Sequence, residues 1–255
     1  MIELHLADDI AEIVLAAPKK LNALDEQALA DLSAAYDDAA AAGVRALLLR
    51  GEGRAFCAGR DISAVDPAHD DAYAYLGGLV TPLLRKMAAF PAPTFAAAQG
   101  ACLGVGLGLL VATDVVYLAE DAKIGSPFAN LGATLDSGGH WLFTERLGAH
   151  RTLDLIYTAD LMSGREAVAA GLFSRTFPAE ELLDRTRDTV ARVATGATGA
   201  FRASKDLVAQ IRDSRVGLWT AMEAENRAQG ELSGTGDYAE GFAAFIEKRK
   251  PVFLG

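Results

Sequence analysis

An α/β fold with an at least partly parallel sheet, followed by an all-helical C-terminal region, is what this sequence predicts, on three observations. Short apolar runs bounded by glycine or proline alternate with stretches of helical periodicity as far as Phe177. Two of those runs end in glycine-spaced turns of the same layout, GEGRAFCAGRDI at 51–62 and QGACLGVGLG at 99–108. From Ala179 to the end only helical patterns remain.

Residues 2–7 and 10–17 read as two strands around Asp8-Asp9, a hairpin-like start that Pro18 ends. Asp25 is placed to cap a helix running to Ala42, where Gly43 stops it. Leu29, Leu32 and Tyr36 fall at helical spacing within it and should face the core. The apolar run 44–50 is a buried strand leading into the first glycine turn. Residues 63–90 are helical in pattern, interrupted by Pro67 and Pro82. A strand at 94–98 enters the second turn, which runs into an apolar helix. Strands are expected at 114–120, 123–130 and 173–177, with helices at 136–147, 151–157 and 166–170, the last closed by Gly171. The tail carries helical patterns at 180–194, 199–211, 216–229 and 238–249.

At 255 residues, 51% hydrophobic and 23% charged, the chain suits one globular unit with a sizeable core. A net charge of −10 disfavours a nucleic-acid binder, which is usually basic. Any anionic ligand must then meet locally placed cations, for which Lys19, Lys20, Arg54, Arg60 and the run 248–250 are candidates. The two cysteines, Cys57 and Cys102, are too few for a disulfide framework or a zinc site and read as small apolar fillers. Glu3, Asp8, Asp9 and Glu12 interrupt the N-terminal apolar residues, unlike a signal peptide. The apolar stretch 95–116 contains Gln99 and four glycines, so a buried strand-turn-helix is expected there rather than a membrane span. A soluble cytoplasmic protein is the expectation.

The glycine turns point to chemistry. A strand ending in such a turn leaves backbone amides unpaired and free of side-chain bulk, able to bind an anion or polarise a carbonyl; the alternative is a tight loop needing positive φ. Residues 104–108 do not spell GxGxxG, and no Walker loop is present. Leu135-Asp136-Ser137-Gly138-Gly139 lacks the first glycine of a nucleophile elbow, and a Ser137/His140 dyad has no third member.

Several collinear segments carry a resemblance: 18–24 (PKKLNAL), 55–61 (AFCAGRD), Gln99-Gly100 with Gly104-Val105-Gly106, Asp114, 136–139 (DSGG), 240–242 (EGF) and 245–251 (FIEKRKP). With them the chain resembles the crotonase, or enoyl-CoA hydratase/isomerase, superfamily over nearly its whole length. The resemblance implies a crotonase-like spiral of ββα turns at 1–195 holding a CoA-ester site. A C-terminal helical trimerisation region at 196–255 completes it, giving a homotrimer or a dimer of trimers. It implies an acyl-CoA substrate, coenzyme A entering as part of that substrate and no permanently bound cofactor. Two backbone amides, carried over onto Ala58 and Val105, would hold the thioester oxygen. Lys20, Arg54, Asp61 and Ile62 would line the nucleotide end of CoA. Residues 63–90 would line the acyl pocket, with Tyr73, Tyr75, Leu76, Leu79 and Leu83 either touching an acyl chain or forming a core stripe.

Hydratases of the family use two glutamates, and those positions hold Gly108 and Phe128 here. Neither transfers a proton, so ordinary hydration loses its water-activating groups. Asp136 is the remaining carboxylate, where the family's ring-type isomerases and dehalogenases carry an aspartate. It reads as a proton shuttle for a double-bond shift, as a nucleophile, or as a helix N-cap only. The expected activity is enoyl-CoA isomerisation; the alternatives are enoyl-CoA hydration and silent CoA-ester binding.

Overall fold

The computed structural model describes residues 1–63, 65–66 and 69–255. Strands β1 (Ile2–Ala7) and β2 (Ile10–Leu15) pair antiparallel with Ala7 opposite Ile10. Asp8 and Asp9 between them have φ of +51° and +60°. Two successive left-handed residues are what a two-residue hairpin turn of the favoured twist requires. Helix α1 (Glu26–Ala41) begins where the Asp25 side chain accepts from the Ala28 amide at 2.8 Å, and it buries Leu29, Leu32 and Tyr36 as their spacing demanded. It returns the chain to β3 (Ala46–Gly51), parallel to β2.

Next come a single turn α2 (Ala72–Tyr75), a π-helical turn at Leu76–Val80, and α3 (Thr81–Ala88). Pro82 does not interrupt this segment. It sits in the first turn of α3, where a missing N–H is tolerated. The expected break at Pro67 lies outside the described residues. Strand β4 (Thr94–Ala98) follows as expected, then β5 (Ala101–Leu103), α4 (Val105–Val111), β6 (Val115–Ala119) and β7 (Lys123–Gly125). The strand expected to reach residue 130 stops at Gly125. Pro127 cannot continue a ladder, and Phe128–Leu131 forms a 3-10 turn.

Helix α5 (Gly139–Leu147), α6 (Ala149–Thr158), the short β8 (Met162–Ser163), α7 (Gly164–Ala169) and β9 (Arg175–Phe177) close the core. The main sheet has the order β1-β2-β3-β4-β6-β9, parallel from β2 onward. A second sheet, β5-β7-β8, stands beside it. All of Thr94–Ala98 is buried, which is why β4 reads as an unbroken run of small apolar residues. The tail is helical as expected: α8 (Ala179–Ala194), α9 (Thr198–Ser214), α10 (Leu218–Leu232) and α11 (Gly236–Glu247). Among the described residues no helix is long and apolar enough to cross a membrane.

One ion-pair cluster ties the tail to the sheet. Glu12 on β2 accepts from Arg50 Nε at 2.6 Å and from Arg187 of α8 at 2.7 and 3.0 Å. Burial raises the Glu12 pKa, but the two guanidiniums outweigh it and hold the group below its ordinary value. A carboxylate depressed in the folded state stabilises above its unfolded pKa, and that stability disappears as pH falls through the folded value. We expect Glu12→Gln to cost about 2 kcal/mol at neutral pH. The gap from wild type should begin to narrow below about pH 4, near the unfolded carboxylate pKa, and close only as pH falls through the lower folded value. Denaturant melts at both pH values measure it; a gap independent of pH would assign the loss to packing instead.

Candidate functional site

The two glycine turns lie side by side. Cys57 and Cys102 form a parallel bridge, with the Phe56 amide on Gln99 O at 2.6 Å, the Cys57 amide on Ala101 O at 2.9 Å and the Leu103 amide on Cys57 O at 3.0 Å. The first turn is stapled from outside by Asn22, whose amide nitrogen donates to Glu52 O at 3.0 Å and Ala55 O at 2.8 Å while its oxygen accepts from Ala17. Gln99 adds bonds to Gly51 O and Gly53 O, each 2.9 Å.

At the seam Gly59 and Gly104 abut, with φ of +101° and +53°. A Cβ on Gly59 would stand 2.9 Å from Leu103 O, and one on Gly104 would stand 3.0 Å from the Phe128 ring. Both positive φ and lack of room therefore require glycine. The amide following each of these glycines has no partner among the described residues. Val105 opens α4 and has no residue four before it in the helix to accept its N–H. Arg60 N–H also has no partner among the described residues: Ala58 donates to Leu21 O at 3.0 Å and Asp61 to Leu24 O at 2.9 Å on either side of it. This corrects one expectation. The Ala58 amide is already taken by Leu21, and the unpaired donor next to Gly59 at the seam is Arg60.

Asp136 is brought to the same place by Gly108, one turn into α4. A Cβ on Gly108 would lie 2.5 Å from Ser137 Cβ and 3.1 Å from Ser137 O, so the 136–137 backbone rests directly on the helix. Asp136 does not start α5. The N-cap is Gly138, with no side-chain bond, and the cap-only reading fails with it. Asp136 Oδ1 is instead buried with no partner among the described residues. Burial raises its pKa above the usual carboxylate value, against the opposing influence of the Ser137 hydroxyl and His140. The Ser137 hydroxyl has no hydrogen-bond partner among the described residues, so no Ser137/His140 dyad is formed there, and Phe128 supplies an apolar wall. We expect Gly108→Ala to force residue 137 away, costing about 1–3 kcal/mol of stability. Its activity loss should exceed what that destabilisation explains, as measured by thermal melting beside turnover at a temperature where both proteins are folded.

The expected nucleotide-end residues cluster in part. Lys20 pairs with Asp61 at 2.7 Å, and Ile62 is exposed next to it. Arg54 is exposed on the first turn. Arg60, a candidate free cation, is not one. Its guanidinium holds Asp70 through two bonds of 2.8 Å and lies 4.0 Å over the Tyr75 ring. With Asp61 and Tyr75 it borders a cleft of about 300 Å³. Of the pocket candidates, Tyr75 and Leu83 are buried while Tyr73 and Leu79 are exposed. No group of three or more His, Cys, Asp or Glu residues suited to a metal ion occurs among the described residues.

Two donors and a carboxylate at one seam invite comparison with known proteins. A family model for enoyl-CoA hydratase/isomerase matches residues 6–255. A probable enoyl-CoA hydratase of Rhodobacter capsulatus is 33% identical over 254 residues, covering 100% of this chain and 98% of the relative. The 1,2-epoxyphenylacetyl-CoA isomerase of Escherichia coli is 30% identical over 98% of this chain and 97% of its own. Among solved structures, an enoyl-CoA hydratase subunit from Geobacillus kaustophilus superposes with a TM-score of 0.89 at 32% identity, covering 100% of this chain and 98% of that one. The spiral α/β core with its helical tail is thus the crotonase fold, and the chain belongs to the enoyl-CoA hydratase/isomerase family.

Proposed function

We propose that this enzyme shifts the double bond of an enoyl-CoA, with Asp136 as the single proton carrier. The observation that carries the reading is Asp136 Oδ1, buried with no partner among the described residues on the segment packed against α4, whose first amide is free, in a site whose other candidate positions hold Gly108 and Phe128. The thioester oxygen would accept from the amides of Arg60 and Val105, which stabilise the enolate as charge develops on that oxygen. Asp136 would take a proton from one carbon and return it two carbons away, needing no activated water. Its raised pKa brings it toward the range where a carboxylate both accepts and releases a proton.

CoA enters with the substrate, and no resident cofactor is needed for this chemistry. Lys20, Arg54, Asp61 and Ile62 would line its nucleotide end. The two buried free cysteines suit a reducing cytoplasm. Exposed Trp219, Phe242, Phe245 and Ile246 on α10 and α11 make an apolar surface suited to a homotrimer or a dimer of trimers. Sedimentation at micromolar concentration should show that assembly, and a monomer would overturn it.

Hydration is the second reading, favoured by the names of the hydratase relatives. A 3-enoyl-CoA and a trans-2-enoyl-CoA offered side by side separate the two: conversion of the first supports the isomerase, and water addition to the second alone supports the hydratase. Tight binding with no turnover of either would leave a silent CoA-ester binder.

A further inference from the structure

Five side-chain polar atoms are buried without a hydrogen-bond partner among the described residues: Tyr36 Oη, Tyr75 Oη, Asp136 Oδ1, Ser137 Oγ and Thr198 Oγ1. Tyr36 packs edge-on to Phe90 in the main core, and Thr198 opens α9 in the tail. The other three belong to residues around the Gly59–Gly104 seam. Asp136 and Ser137 rest on α4, and Tyr75 is held by the guanidinium of the residue whose amide is free. A buried hydroxyl with no partner costs about 1–3 kcal/mol. Where such groups gather at a ligand seam, the missing partner is expected on the ligand.

We propose that Tyr75 is a specificity-determining residue whose phenol donates a hydrogen bond to an oxygen on the substrate's acyl group, beyond the thioester. The favoured substrates are then oxygen-bearing acyl-CoA esters rather than plain hydrocarbon chains. This rests on the acyl-CoA reading of the site.

The ring is fixed before any substrate arrives. Asp70 holds Arg60 in a two-bond fork, and Arg60 in turn covers the face of Tyr75, so the phenol's direction is set by the same residue that supplies the seam's first amide. Burial, with the Cys57 thiol and the Asp136 carboxylate acting in the same direction, outweighs Arg60 and raises the Tyr75 pKa, so the group stays a proton-bearing donor at neutral pH. Tyr75 also lines the cleft of about 300 Å³ that it shares with Arg60 and Asp61, so a ligand-sized space adjoins the ring. A hydrocarbon chain there leaves the phenol unpaired, whereas an acceptor oxygen satisfies it. Sites built to pair a substrate's polar group reject analogues that lack it.

Calorimetric titration with hexanoyl-CoA and with the 3-, 4-, 5- and 6-hydroxyhexanoyl-CoA esters tests this on wild type and Tyr75→Phe. At least one hydroxy ester should bind the wild type about tenfold more tightly than hexanoyl-CoA. In Tyr75→Phe that preference should vanish while hexanoyl-CoA binding stays within about twofold, because ring and stacking are retained. The variant should melt no lower than wild type, since only an unpaired hydroxyl is removed. Hexanoyl-CoA binding best in both proteins, or a hydroxy preference unchanged by Tyr75→Phe, overturns the inference. Binding of none of the five esters overturns the acyl-CoA reading itself, and this inference with it.

Discussion

Asp136→Asn is expected to lower turnover of a 3-enoyl-CoA by about 10³-fold, the range that loss of a positioned general base produces. Binding of a saturated acyl-CoA should change little, because the amides of Arg60 and Val105 are untouched. The same variant should be more stable than wild type at neutral pH. Asp136 has a folded pKa above its unfolded value, so its contribution is fully favourable only below the unfolded pKa and is lost as pH rises through the folded one. At pH 7 the wild type therefore carries a cost for burying this carboxyl group, and asparagine removes that cost. The stability gap should shrink toward zero below about pH 4, near the unfolded pKa of Asp. Isomerase kinetics and denaturant melts at two pH values read both effects. An Asn variant that keeps its activity would remove Asp136 from the chemistry and point to a group not identified above.

Val105→Pro deletes one of the two free amides while respecting the fold. Val105 is the first residue of α4, a position where proline is well accommodated and where the N–H has no helical partner to lose. The rate constant should fall about 10²–10³-fold, as when one oxyanion donor is removed elsewhere. Val105→Ala keeps the N–H and loses only packing of a buried side chain, so it should retain most of its kcat. The contrast between the two variants, read in kcat rather than KM, isolates the backbone donor. Equal losses in both would assign the effect to packing.

The strands and helices that carry the site were legible because each had a local cause. Leu29, Leu32 and Tyr36 at helical spacing, Asp25 as a cap, and the small apolar run Thr94–Ala98 all behave as their chemistry dictates. The two glycine turns were legible as a pair, and Val105 does open α4 as the glycine spacing suggested. Ala58 was misplaced because which amide on a turn is free depends on a partner far away in sequence, here Leu21, and no spacing rule reports that. The layout held one clue: the free amide follows the abutting glycine at Gly104, and it also follows it at Gly59. For Asp136 the sequence left open a role as a cap, which Gly138 takes instead. Tyr75 stayed ambiguous because its stacking by Arg60 joins two segments whose register the sequence does not display.

The π-helical turn at Leu76–Val80 gives the lineage an inexpensive way to change its substrate. It joins α2, with Tyr75 at its end, to α3, and it carries one more residue per turn than an α-helix would. Deleting a single residue there would convert it to regular helix and swing α2 by about 100° relative to α3. The phenol would leave the guanidinium of Arg60, while β3, β4 and both glycine turns stayed where they are. Gly77 and Gly78 lie within that turn, the latter with open space around its Cα, so neither opposes the rewinding. One codon lost or gained at this point would re-aim the pocket wall without disturbing the amides proposed to hold the reacting carbonyl. Length differences among relatives at this turn would then mark changes in acyl preference rather than drift.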